Sequence, residues 1–84
     1  MPPLSELPGD VPRDRFLRAL RRVGFTIDVS GGNGDHVMAT WPTTNKSLAV
    51  PHRMIPKQVL KYLLKEIEAV TLSRVSWEVI RKEL

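Results

Sequence analysis

The chain has 84 residues, 42% of them apolar, no cysteine, and 13 basic against 9 acidic side chains for a net charge of +4 at pH 7. That length fits one small domain, and the apolar fraction excludes a globally disordered chain. Without cysteine there is neither a disulfide framework nor a thiolate metal site.

Residues 1–10 hold three prolines, Pro2, Pro3 and Pro8, and are expected to form a flexible leader, with 11–84 as a single domain. The opening Met1–Glu6 has neither the basic start nor the apolar run of a secretion signal. No apolar stretch is long enough for a membrane helix, so the expectation is a cytoplasmic protein with no membrane partner. Asp10 suits a helix N-cap and Pro12 a first helical turn. Phe16, Leu17, Leu20 and Val23 then form one apolar stripe, with Arg15, Arg18 and Arg22 opposite, and Gly24 is a stop signal. The spacing predicts a helix over 11–23.

The period changes at Phe25. Residues 25–30 alternate apolar and polar, as a strand with one buried face does. Gly31-Gly32-Asn33-Gly34 supplies a turn. A second strand over 35–41 would put Val37, Ala39 and Trp41 on one face and His36, Met38 and Thr40 on the other. Pro42–Asn45 is the next turn, and Lys46–Val50 a third strand closed by Pro51. Pro56 fits the first turn of another helix, in which Val59, Leu60, Leu63, Leu64 and Ile67 recur with helical spacing. Ser73 or Ser76 would cap a short final helix through Trp77, Val79, Ile80 and Leu84. The order is helix, three-stranded antiparallel sheet, helix and a short C-terminal helix, an α+β two-layer domain with both long helices on one face of the sheet.

Charge is unevenly placed along this order. From Lys46 to Lys65 there are five basic residues, Lys46, Arg53, Lys57, Lys61 and Lys65, and no acidic one. A second group, Arg13, Arg15, Arg18, Arg21 and Arg22, is opposed only by Asp14. Two basic blocks and an isoelectric point of about 10.0 are the footprint of a polyanion-binding protein, RNA or DNA, although solvated helix faces carry the same composition.

The chemistry-bearing motifs are few. The glycine turn is followed by a strand, whereas a phosphate-binding loop needs a helix there. His36 and His52 have no paired-ligand spacing, so no metal and no cofactor is expected. There is no cysteine nucleophile, and no serine in a nucleophile elbow. His36, just past the turn at the start of a central strand, is the one side chain positioned to pass a proton near neutral pH.

Leu17–Phe25, then Gly34-Asp35-His36, then Ala49-Val50-Pro51-His52 running into Ile55–Lys65, together resemble the HicA (YcfA-like) toxins. The resemblance covers about residues 13–70. It implies a fold similar to the double-stranded RNA-binding domain and a ribosome-independent mRNA endonuclease, the toxin of a type II toxin–antitoxin pair. It further implies that His36 is the catalytic residue and that a HicB-like antitoxin covers it. The sequence departs from the family at Asp35, where serine is usual, at Val11-Pro12-Arg13 in place of the opening Ser-Gly, and in its longer C-terminal segment around Trp77.

In that reading the 2′-hydroxyl of the mRNA attacks the adjacent phosphate with His36 as general acid or base, a chemistry that needs no metal. Lys46, Arg53, Lys57, Lys61 and Lys65 would hold the phosphate backbone. The alternative is a non-catalytic RNA-binding module of the same fold, with Asp35 marking a degenerate site. A third reading is a protein-binding adaptor anchored by Trp41, Tyr62 and Trp77, for which core packing of the two tryptophans is the competing explanation.

Overall fold

A computed structural model describes residues 3–29, 37–51 and 53–84. Two short strands set where both long helices begin. Strand β1 (Asp10–Pro12) pairs antiparallel with β5 (Met54–Pro56), with Val11 opposite Ile55. Val11 and Ile55 are both buried. Helix α1 (Arg13–Val23) leaves one end of this ribbon, and α2 (Lys57–Val70) leaves the other.

This pairing corrects both expected helix starts. Asp10 is not a cap: it sits in β1 opposite Pro56, α1 begins three residues later, and the capping positions, Pro12 and Pro56, make no side-chain bond to their helices. Proline's fixed φ suits an extended residue at a helix entrance as well as a first helical turn, so the sequence signal was real but one position out of register. The expected leader differs too. In its described part Leu4–Glu6 forms a turn of 3₁₀-helix and Leu7 is only 4% exposed, packed in the core. Residues 1 and 2 lie outside the described residues.

The main sheet is antiparallel with order β2 (Thr26–Asp28), β3 (Val37–Trp41), β4 (Lys46–Val50). Its register sets Ile27 opposite Ala39 and Ala39 opposite Leu48. That row and the Val37–Val50 pair face one core shared with Phe16, Leu20, Leu60, Leu64 and Ile67 of the two helices. The alternate row, Thr26, Thr40 and Ser47, is on the other face, where the Thr40 and Ser47 hydroxyls are bonded at 2.7 Å. Period-two alternation therefore sorts the strands as expected. The first strand is shorter than 25–30, ending at Asp28, and the anticipated turn at 31–34 lies outside the described residues.

Gly24 ends α1 for two reasons. Its φ of 123° is in the left-handed region, and a Cβ there would sit 3.2 Å from the Trp41 ring. The Gly24 N–H donates to the Leu20 and Arg21 carbonyls and the Phe25 N–H to Leu20, a wrapped helix end that turns Phe25 back over the core. Phe25 meets Trp41 with ring centroids 5.0 Å apart. Trp41 is half-buried here, which is the core-packing outcome.

The other helix end is closed by a side chain. Thr71 is buried, its hydroxyl donating to the Ile67 carbonyl at 2.7 Å and accepting from the Val75 N–H. Helix α3 (Trp77–Glu83) follows and packs against α1. Ser76 occupies its capping position without a side-chain cap bond. Arg15 donates to the Leu84 carbonyl at 2.8 Å and Arg22 pairs with Glu83, while Trp77 is buried, again as core.

Because Leu7 is in the core, Leu7→Ala is expected to destabilise the chain by about 2–3 kcal/mol in chemical denaturation, the cost of a large-to-small core substitution. A leader free of the domain would leave the unfolding midpoint unchanged.

Candidate nucleic-acid interface

The residue that opens β3 is Val37, and it pairs with Val50, the last residue of β4. From that end of the sheet the chain passes through Pro51 and Arg53 into β5 and α2. The sequence-predicted basic residues are distributed from this end. Arg53 is exposed, Lys57 opens α2, Lys61 lies one turn further, and Lys65 another. Residues four apart are successive neighbours on one helix flank, about 6 Å along the axis, so the three lysines form a row. Lys57 and Lys61 are half-buried, as long basic side chains commonly are on a helix surface. Glu68 follows on the same flank and ends the row.

Lys46 is not brought to this group. It opens β4 opposite Trp41, and four residues of strand, about 14 Å, separate it from Val50. The Thr44 hydroxyl, in the turn before Lys46, donates to the Val70 carbonyl at 2.7 Å. The C-terminal end of α2 therefore lies at the Lys46 end, and the basic row runs from the Arg53 end towards it. His36 and His52 lie outside the described residues.

One basic residue escaped the sequence reading of this end. The Arg13 N–H donates to the Arg53 carbonyl at 2.8 Å, so the first residue of α1 is tied to the segment that leads into α2. Pro12, Arg13, Asp14 and Arg53 line a depression of about 230 Å³ there. Nothing in the local sequence couples Arg13 to Arg53. The coupling comes from the β1–β5 pairing.

A second depression, about 460 Å³, lies between the N-terminal segment, α1 and α3 and is lined by Leu7, Val11, Trp77 and Leu84 with Glu6, Asp10, Arg15 and Arg81. Its two carboxylates balance its two guanidinium groups, so it does not suit a polyanion. Among the described residues no three histidine, aspartate or glutamate side chains cluster as metal ligands, and no helix is long and apolar enough to cross a membrane.

Tyr62, on the outer face of α2, is 62% exposed. Glu66, one turn along α2, offers the Tyr62 hydroxyl a hydrogen-bond acceptor and a negative charge, and together these hold the phenol proton above its ordinary range. Of the three aromatic anchors considered for an adaptor, Tyr62 alone is presented to solvent. Comparison with protein-family models, with curated proteins and with solved structures finds no match to this chain.

Tyr62 is the chain's single tyrosine, so its titration is readable by ultraviolet difference absorbance. Glu66→Gln is expected to lower its midpoint by removing the charge that opposes the phenolate. The folded chain holds this proton more tightly than the unfolded chain, so the associated stabilisation is present below the ordinary phenol range and is lost as pH rises through the raised value. An unchanged midpoint in Glu66→Gln would show that the pair does not form.

Proposed function

We propose that this chain is a HicA-like toxin, a metal-independent mRNA endoribonuclease on a fold similar to the double-stranded RNA-binding domain, with His36 as its general acid or base. The observation that carries the reading is the Val37–Val50 pair: the residue following His36 in the chain stands at the end of the sheet that leads directly to Arg53 and Lys57. Proton transfer and phosphate binding belong at one locus, and this register supports that. The motif resemblance over residues 13–70 supports it independently.

In this reading Arg53, Lys57 and Lys61, joined by Arg13, hold the backbone of a single RNA strand, while Lys65 extends the positive potential along α2 and Lys46, at the far end of β4, lies apart. The substrate's 2′-hydroxyl attacks its own phosphorus, the bond to the 5′-oxygen breaks, and a 2′,3′-cyclic phosphate and a 5′-hydroxyl result. His36 takes the proton from the nucleophile or delivers one to the leaving oxygen. A HicB-like acidic antitoxin neutralises the toxin by covering His36, and the pair acts in the cytoplasm.

Purified protein and its His36→Ala variant, incubated with a defined mRNA in the presence of a chelator, test the proposal. Wild type is expected to leave cyclic-phosphate ends, and the variant to cleave about 10²–10⁴-fold more slowly while keeping the circular dichroism of the folded chain. Equal cleavage by both would remove His36 from the mechanism. RNA that is retarded by wild type yet stays intact would instead establish the binding-module reading that Asp35 raises.

Binding is testable apart from cleavage. For single-stranded RNA, Arg53→Gln and Lys57→Gln should each flatten the dependence of log affinity on log salt by about 0.7, one phosphate contact apiece. An unaltered slope would place the contact elsewhere.

A further inference from the structure

Among the described residues the sheet has an open edge at β2, whose only strand neighbour there is β3. Beside that edge runs one flank of α1. Asp14, Leu17, Arg18 and Arg21 of the helix and Ile27 and Val29 at the strand line a groove of about 260 Å³. Its floor is aliphatic: Leu17 is nearly buried, Ile27 half-buried, and Val29 is 69% exposed. Ile27 lies on β2 and Val29 just past its end, and both line the groove beside α1.

The arginines of α1 divide into two groups. Arg15 and Arg22, on the α3 flank, are engaged by the Leu84 carbonyl and by Glu83. The side chains of Arg18 and Arg21, at the groove, make no hydrogen bond or ion pair with any described residue, and both residues are exposed. An edge strand offers unpaired backbone donors and acceptors, which is what an incoming strand uses.

We propose that the open edge of β2 and the Arg18–Arg21 flank of α1 form a docking site for an extended acidic segment of another protein, which adds a fourth strand to the sheet. The backbone of that segment would pair with those N–H and C=O groups of β2 that face away from β3. Its inward-facing side chains would alternate between small apolar groups over Ile27 and Val29 and carboxylates meeting Arg18 and Arg21. Charge complementarity selects this occupant, since the groove holds two guanidinium groups against the single carboxylate of Asp14. A nucleic-acid strand fits less well, because the floor presents no aromatic ring on which a base could stack. A second copy of the chain fits less well again, because edge-to-edge pairing would bring two arginine rows together. The inference does not rest on the nuclease reading and uses none of its residues.

The test uses the full chain with three fluorescein-labelled eight-unit probes: a capped peptide of two Val-Ser-Glu-Ser repeats, whose one face carries valine and glutamate in turn, the same peptide with lysine for glutamate, and oligouridine RNA. Saturable anisotropy binding is expected for the glutamate peptide and not for the lysine peptide, with slowed amide exchange along β2. Oligouridine, bound through the α2 surface, should neither displace the peptide nor slow exchange along β2. Arg18→Glu/Arg21→Glu should weaken that binding by about tenfold or more, since two surface ion pairs become two repulsions. Val29→Asp, also at an exposed position, should weaken it without touching the arginines. The proposal is overturned if the glutamate peptide fails to saturate, if the lysine peptide binds as well, or if the variants leave binding intact. It is equally overturned if the RNA displaces the peptide and protects the same amides, which would make this flank a nucleic-acid surface. Cleavage activity is not read in any arm, so failure here and failure of the nuclease reading are separate results.

Discussion

The pairing of Val11 with Ile55 is the contact on which the rest of the architecture depends. It joins two segments far apart in the chain, and both long helices start from it. Once it forms, the Arg13 N–H meets the Arg53 carbonyl. Leu7, a few residues before the ribbon, joins the same core. A three-residue ribbon is weak alone. It holds because its inward side chains are completely enclosed, so the apolar burial of Val11 and Ile55 supplies what the few ladder bonds do not.

The electrostatic organisation follows from that geometry. Basic residues that are dispersed along the sequence become two distinct surfaces. One begins at Arg13 and Arg53 and continues down α2 through Lys57, Lys61 and Lys65. The other is the free flank of α1, with Arg18 and Arg21 above the β2 edge. Between them, Arg15 and Arg22 serve structure by holding α3. A total charge of +4 says nothing of this division. It arises because a helix distributes successive arginines around its circumference, and each meets whichever neighbour packs on that side.

The legible parts of the sequence were those governed by local periodicity. The α1 stripe, the β3 and β4 alternation, the turn at 42–45 and the α2 stripe each produced the element expected of them, and Lys46–Val50 matched to the residue. The α2 lysine row was legible for the same reason. Misreadings gathered at the helix entrances and the N-terminal segment. Asp10 carried a strong capping signal, yet a distant strand claimed its backbone. Leu7, set among prolines and a glycine, had no periodic neighbours to mark it as a core residue. Lys46 and Arg53 are close in the chain, but the length of β4 separates them in the fold.

By itself, the sequence determined the kinds of element, their order, which face of each is apolar, and the resemblance that raises His36 to candidate catalyst. These depend on side-chain spacing of two or 3.6 residues, which is written within a few neighbours of each position. Only the tertiary structure decided that β1 and β5 exist, that Arg13 stands beside Arg53, that Lys46 lies apart, and that Arg18 and Arg21 are left over an open edge. Each of these is a long-range pairing, settled by the burial of surfaces whose partners no local pattern names.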